Sequence, residues 1–221
     1  MLPRLYPILD IDLCRERRLE PLAVLEAFLA GGARFLQLRD KTPSTAERLQ
    51  CAGDVVARAH AAGARLVVND RVDIARLSGA DGVHLGQDDL PVEEARRILG
   101  ADAIIGLSTH EEAQIEEAAR TTANYIAVGP IYGTVTKDTG YTARGLDLVR
   151  KAALTLRPDS RRQSAGQAGP ARRPVVAIGG ITLDRVDEVL EAGASSVAVI
   201  SDLLTGGDPE ARVRAFLERR V

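Results

Sequence analysis

The chain has 221 residues, 45% of them apolar and 27% charged, with a formal net charge of -2. That length holds one large domain, or two small ones, with a proper core. The charge balance excludes a global positive field for recruiting nucleic acid or an acidic membrane, so any anion must be held by a local cluster.

The N-terminal run "MLPRLYPILDIDLCRERR" has no basic leader, uninterrupted apolar core and small-residue cleavage site in sequence. No apolar run is long enough to cross a bilayer, and a cytoplasmic protein is expected. From there, β-rich runs alternate with amphipathic helical segments. "RLYPILD" leads to a helix over Leu22–Ala30, and "RFLQLR" to Thr45–Ala62, with Ser44 as its start signal. "RLVVN" precedes Val72–Leu77, "GVHLG" precedes Val92–Leu99 after Pro91, and "AIIGLS" precedes Glu111–Arg120. "YIAVG" leads to Leu146–Leu156, "PVVAIG" to Leu183–Glu191 with Thr182 before it, and "SSVAVIS" to Pro209–Arg219. Strict alternation means parallel strands with right-handed crossovers. This number of repeats predicts an α/β fold, a (β/α)8 barrel forming one domain over residues 1–221. An open doubly wound sheet fits less well, because its Gly-x-Gly-x-x-Gly turn is absent after the first strand. Arg157–Pro174, rich in Pro, Gly, Ser, Gln and Arg, breaks the rhythm. It is expected to be a flexible insertion on the barrel face opposite the site, tolerated rather than functional. Cys14 and Cys51 have no metal-type spacing and read as buried, inert thiols.

In "FLQLRDK", period two places Gln37, Arg39 and Lys41 on one face and Leu36 and Leu38 on the other. Unpaired, such polar groups would cost several kcal/mol each if buried, roughly 2–7 for an amide. A barrel gathers its chemistry at the C-terminal strand ends. There stand Arg39, Asp40 and Lys41, then Asn69 and Asp70, then Gly86 to Asp89, then Ser108 and His110. The later strands end in "GPIYGTVTKDTG", in Gly179–Gly180 and in Ile200–Ser201. Of the 29 basic residues only Lys41, Lys137 and Lys151 are lysine, and two of the three stand at strand ends. A compact ammonium serves an oxyanion as a point charge.

Asp70 and the Asp88–Asp89 pair end neighbouring strands and read as helix caps or as ligands shared by one hard cation. Beside Arg39 and Lys41 the cation reading is favoured, with magnesium preferred because no His/Cys group has zinc spacing. Glycines on strand seven beside "IS" on strand eight suit a phosphate held by backbone amides. His84 reads as a packed residue and His60 as a surface one. His110 belongs to no triad, and Ser108 reads as a hydrogen-bonding contact. Two anion sites, one for a diphosphate and one for a monophosphate, suit a reaction joining a diphosphate ester to a phosphate-bearing second substrate.

Almost end to end, the ordered motifs "QLRDK", "NDRVDIA", "GVHLGQDDLP", "IGLSTHEE", "YIAVGPIYGTVTK", "VVAIGGI" and "VAVIS" resemble the thiamine-phosphate synthase family. The resemblance implies a magnesium-dependent (β/α)8 barrel. Its reaction joins 4-amino-5-hydroxymethyl-2-methylpyrimidine diphosphate to 4-methyl-5-(2-phosphoethyl)thiazole or its carboxylate. It also implies that Gln37, Leu38, Arg39, Asp40, Lys41, Asn69, Ser108 and Lys137 hold the pyrimidine diphosphate, with Arg39, Lys41, Ser108 and Lys137 catalytic. Asp70 and Asp89 become the magnesium ligands, and Thr134, Val135, Thr136, Gly180, Ile200 and Ser201 hold the thiazole phosphate. Leu9 and Asn124 depart from the family's usual threonine and aspartate, at positions that are not ligands. The partners implied are small molecules, and a homo-oligomer is compatible with the reading. The length is expected to exclude a fused pyrimidine kinase. The rival readings are a thiazole tautomerase-like enzyme, which needs neither the acids nor a diphosphate site, and a non-catalytic phosphate-binding barrel.

Overall fold

The computed structural model describes residues 2–42, 44–133, 142–157 and 173–219. Eight strands close into a parallel barrel: β1 (Leu5–Asp10), β2 (Phe35–Arg39), β3 (Arg65–Asn69), β4 (Gly82–Leu85), β5 (Ile104–Thr109), β6 (Tyr125–Val128), β7 (Val175–Ile178) and β8 (Ser196–Val199). Each pairs with the next, and β8 returns to β1. Outside run α1 (Ile11–Glu16), α2 (Pro21–Ala30), α3 (Thr45–Ala61), α4 (Val72–Ser78) and α5 (Val92–Leu99). They are followed by α6 (Glu112–Ala118), α7 (Gly145–Thr155), α8 (Val186–Glu191) and α9 (Pro209–Glu218), with a 3-10 segment over Ser201–Gly207. Ser44 caps α3 by accepting from the Glu47 amide at 3.3 Å.

The barrel agrees with the sequence reading, and the differences are local. Helix α1 has six residues, too few for a periodicity to register or for a helix to stand alone. It is held by the Asp10 carboxylate, which accepts from the Leu13 amide at 3.0 Å, and by burial of Ile11 and Cys14. Thr182 does not start α8, which begins at Val186. The intervening residues form a turn closed by Arg185 N donating to the Thr182 carbonyl at 3.0 Å, and the Leu183 amide donates to Asp202 instead. Most of the Arg157–Pro174 segment lies outside the described residues. Both cysteines are free; burial, with neighbouring carboxylates, pushes each thiol up to about 11.

Strand alternation divides the core into two layers. Leu36 and Leu38 of β2 pack outward with the helices, while Phe35 joins Tyr6, Ile8, Val67, Tyr125, Ala127, Val176 and Ala198 inside the barrel. Tyr6 meets Phe35 at 4.7 Å between centroids and stands edge-on to Tyr125 at 5.8 Å. Gly106 makes room for this packing, since a Cβ there would overlap the Tyr125 ring. Filling the barrel with two tyrosines puts hydroxyl groups in its centre, and each left unsatisfied would cost about 1–3 kcal/mol. Their partners lead upward to the rim.

Candidate active site

The C-terminal ends of β1 to β4 carry the charged half of the rim. Arg39 closes β2 with Nη1 donating to Asp10 Oδ2 at 2.6 Å, and Asp12 lies 3.9 Å away. Asp10 is almost fully buried, so the carboxylate that caps α1 also aims Arg39. Arg39 Nε is buried and has no hydrogen-bond partner among the described residues. Beside it, the Lys41 ammonium donates to Asp70 Oδ2. Both side chains are partly exposed, and a pair of this kind contributes about 0.2–1 kcal/mol. An arriving anion can therefore take Lys41 over at small cost. Asp70 sits at φ +64, in the left-handed region that aspartate tolerates better than most residues. Its amide donates to the His84 carbonyl at 2.8 Å, which fixes the carboxylate over the end of β4.

The turn after β4 separates Asp88 from Asp89. Asp89 folds back so that Oδ2 accepts from the Gly86 amide at 2.7 Å, while Asp88 is exposed. Burial first, then the adjacent Asp70 charge, holds the Asp89 carboxyl above the usual carboxylate range, against the pull of the Gly86 amide and Lys41. Two like-charged carboxylates crowded together favour a cation between them. Among the described residues no third His, Cys, Asp or Glu joins them in a metal-holding group. Hard oxygen donors of this kind suit magnesium, which completes its coordination with water and phosphate oxygens.

The remaining residues of the "QLRDK" motif divide by face. Gln37 points into the barrel, whereas the Leu38 side chain is buried in the outer layer and leaves only its main chain for a ligand. Asp40 turns back on its own loop, with Oδ1 accepting from the Thr42 amide at 2.8 Å. Asn69 is buried at the end of β3.

The second half of the rim is a cavity of about 280 Å³ between β5, β6, β7 and β8. Ser108, His110, Gly129, Gly180, Ile200 and Ser201 are among the residues lining it. Gly180 adopts φ +62, and a Cβ on it would come within 2.5 Å of the Gly133 carbonyl oxygen. Glycine is required there on both counts. The loop leaving β6 is bound to β7 by the Ile131 amide on the Ile178 carbonyl at 2.9 Å and the Tyr132 amide on that of Gly179 at 3.0 Å. Thr134, Val135, Thr136 and Lys137 lie outside the described residues; Gly133, the last described residue before them, sits beside Gly180. His110 is held by its own fold, Nδ1 lying 2.6 Å from the Gly129 carbonyl. Arg17, exposed just past α1, adds a positive charge to the cavity wall. Neither Asp10 nor Arg17 was found from the sequence. The aspartate ending "YPILD" was the one available signal.

The chain matches the family described as thiamine monophosphate synthase over residues 5–203. It belongs to the thiamine-phosphate synthase family, transferases of thiamine biosynthesis. The thiamine-phosphate synthase of Acidothermus cellulolyticus is 44% identical to it over 218 residues, covering 98% of this chain and 94% of the relative. That of Thermosynechococcus vestitus is 43% identical over 198 residues, and here the chain spans 52% of the relative's length. The solved thiamine phosphate pyrophosphorylase of Pyrococcus furiosus superposes with a TM-score of 0.80 at 31% identity, covering 97% of this chain and 95% of that one. All three span both halves of the rim.

Proposed function

We propose that the chain joins 4-amino-5-hydroxymethyl-2-methylpyrimidine diphosphate to 4-methyl-5-(2-phosphoethyl)thiazole, or its carboxylate, giving thiamine phosphate and diphosphate. One observation carries this reading: a cation-and-carboxylate cluster (Arg39, Lys41, Asp70, Asp89) and a glycine-lined cavity share one barrel mouth. The first suits a diphosphate and the second a monophosphate.

In this mechanism the bond between the pyrimidine methylene carbon and the diphosphate oxygen breaks, with its electron pair leaving on diphosphate. The aminopyrimidine ring donates electrons to the methylene carbon, and the thiazole nitrogen lone pair then forms the new C–N bond. Arg39 and Lys41, with Lys137, neutralise the leaving group, and the cavity holds the nucleophile close while excluding water. Gln37, Asn69 and Ser108, with the main chain through Leu38 and Asp40, orient the pyrimidine. Gly180, Ile200 and Ser201, with Thr134, Val135 and Thr136, hold the thiazole phosphate. Asp70 and Asp89 would hold magnesium, which supplies positive charge to the diphosphate oxygens when bound. No side chain has to abstract a proton. We place the enzyme in the cytoplasm; among the described residues no helix is long and apolar enough to cross a membrane.

The test is diphosphate release by the purified chain given both substrates, with and without magnesium. Release that needs both substrates and the metal is expected. Isomerisation of the thiazole without diphosphate release would favour a tautomerase, and binding without turnover a phosphate-binding barrel.

A further inference from the structure

A continuous chain of hydrogen bonds crosses the barrel interior beneath the rim. Gln37 Nε2 donates to the Tyr6 hydroxyl at 2.8 Å, and that hydroxyl lies 2.8 Å from the hydroxyl of Tyr125. The Tyr125 hydroxyl lies 3.0 Å from His84 Nδ1, and His84 Nε2 lies 2.8 Å from Ser108 Oγ. His84 stacks on the Tyr125 ring, with centroids 5.6 Å apart and planes at 17°. The first four residues are buried in the barrel, Tyr125 completely, and only Ser108 reaches the cavity.

The chain has a direction. Either tyrosine could donate to the other, but Tyr6 already accepts from Gln37, and its own buried proton is satisfied only if it goes to the Tyr125 oxygen. Tyr125 then has its proton for His84 Nδ1, which must accept. A neutral imidazole accepting at Nδ1 carries its proton on Nε2 and donates it to Ser108 Oγ. The Ser108 hydroxyl proton is thereby turned away from the histidine, on a residue that lines the cavity.

We propose that His84 and Tyr125 are positioning residues: they fix the Nε2–H tautomer of His84 and so make Ser108 a hydrogen-bond donor toward the substrate. The ligand group this suits is a lone-pair acceptor, such as a ring nitrogen of a heteroaromatic substrate. The inference rests on the functional reading above for Ser108 as a substrate contact. It goes further in assigning the direction of the bond and the buried groups that set it. If Tyr125 loses its hydroxyl, nothing there any longer obliges Nδ1 to accept, and His84 can carry its proton on either nitrogen. In the Nδ1–H form Nε2 accepts from Ser108, and the outward donor is lost.

Ring nitrogen–proton spectra of the histidines distinguish the tautomers without any reference to activity. The chain has only three histidines, His60, His84 and His110, and His60→Gln removes a surface one to aid assignment. In the wild type His84 is expected to carry its proton on Nε2; a proton on Nδ1 overturns the proposal. Tyr125→Phe, a buried change that cannot touch substrate, is expected to let an Nδ1–H form appear beside the Nε2–H form. It should also lower kcat about two- to threefold, in proportion to the Nδ1–H fraction, with both KM values little changed. Tyr6→Phe leaves Tyr125 in place and serves as the second variant should Tyr125→Phe not fold; it is expected to lower kcat in the same sense by a smaller factor. Full kcat in a folded Tyr125→Phe or Tyr6→Phe protein sinks the proposal. Should the wild type release no diphosphate, the functional reading fails, and the spectra still judge the tautomer.

Discussion

The two halves of the barrel mouth are built by different means. From β1 to β4 the rim works with side chains: Arg39 aimed by Asp10, Lys41 on Asp70, and Asp89 folded onto Gly86. From β6 to β8 it works with backbone and shape, in a cavity whose walls come close because Gly180 has no Cβ. A side-chain site can be read from residue types, whereas a backbone site requires knowing which loops touch. A side-chain site also fails by loss of charge, and a backbone site by added bulk.

Variants at the two halves should therefore fail differently. The largest effect is expected for Asp89→Asn, which removes one of the two carboxylates proposed for magnesium. kcat/KM should fall on the order of 100-fold, with activity partly restored at higher magnesium, because loss of one charged stabiliser in a preorganised site costs about 10²–10³. Near-normal rates in titrations against magnesium would take Asp89 out of the metal site. Next is Lys137→Ala, expected to slow turnover by more than about tenfold through weaker neutralisation of the leaving diphosphate; single-turnover measurement of diphosphate release would show it. On the other half, Gly180→Ala puts a Cβ against the Gly133 carbonyl at a left-handed φ, at a cost of about 1–2 kcal/mol. Its KM for the thiazole phosphate should rise several-fold while that for the pyrimidine diphosphate stays put. A rise in both would erase the distinction between the halves.

The smallest effect concerns pH. The Asp89 carboxyl holds its proton more tightly in the folded magnesium-free protein than in the unfolded chain. The folded state then binds more protons across this titration, so stability falls as pH rises through it and is fully present only below the unfolded carboxylate range. Asp89→Asn should remove that loss and raise Tm slightly at neutral pH but not in acid, as scanning calorimetry without magnesium can check. Equal Tm differences at both pH values would count against the crowding of Asp70 and Asp89.

Much of this was legible in the chain. The eight apolar runs and the longer helices between them follow from local periodicity, and each strand stands where its run predicted. The cations and acids at the strand ends were visible as residue types. Less visible was the use made of them. Leu38 and Asp40 share a motif with Arg39, yet pleating turns Leu38 into the outer core and a local hydrogen bond turns Asp40 onto its own loop. His84 read as a packed histidine and is packed, but its two ring nitrogens are both occupied by groups on other strands.

Sequence alone determined the eight strand–helix repeats and their parallel order, because alternation of strand and helix is a property of near neighbours. It also determined which charged residues stand at strand ends. Tertiary structure alone decided that Asp89 rather than Asp88 faces Asp70, that Asp10 aims Arg39, and that Tyr6 and Tyr125 meet across the barrel. The physical reason is distance along the chain: Tyr6 and Tyr125 are 119 residues apart, and Asp10 and Arg39 are 29 apart. Closure of the sheet brings such groups within hydrogen-bond reach, and no local pattern in the sequence encodes that closure.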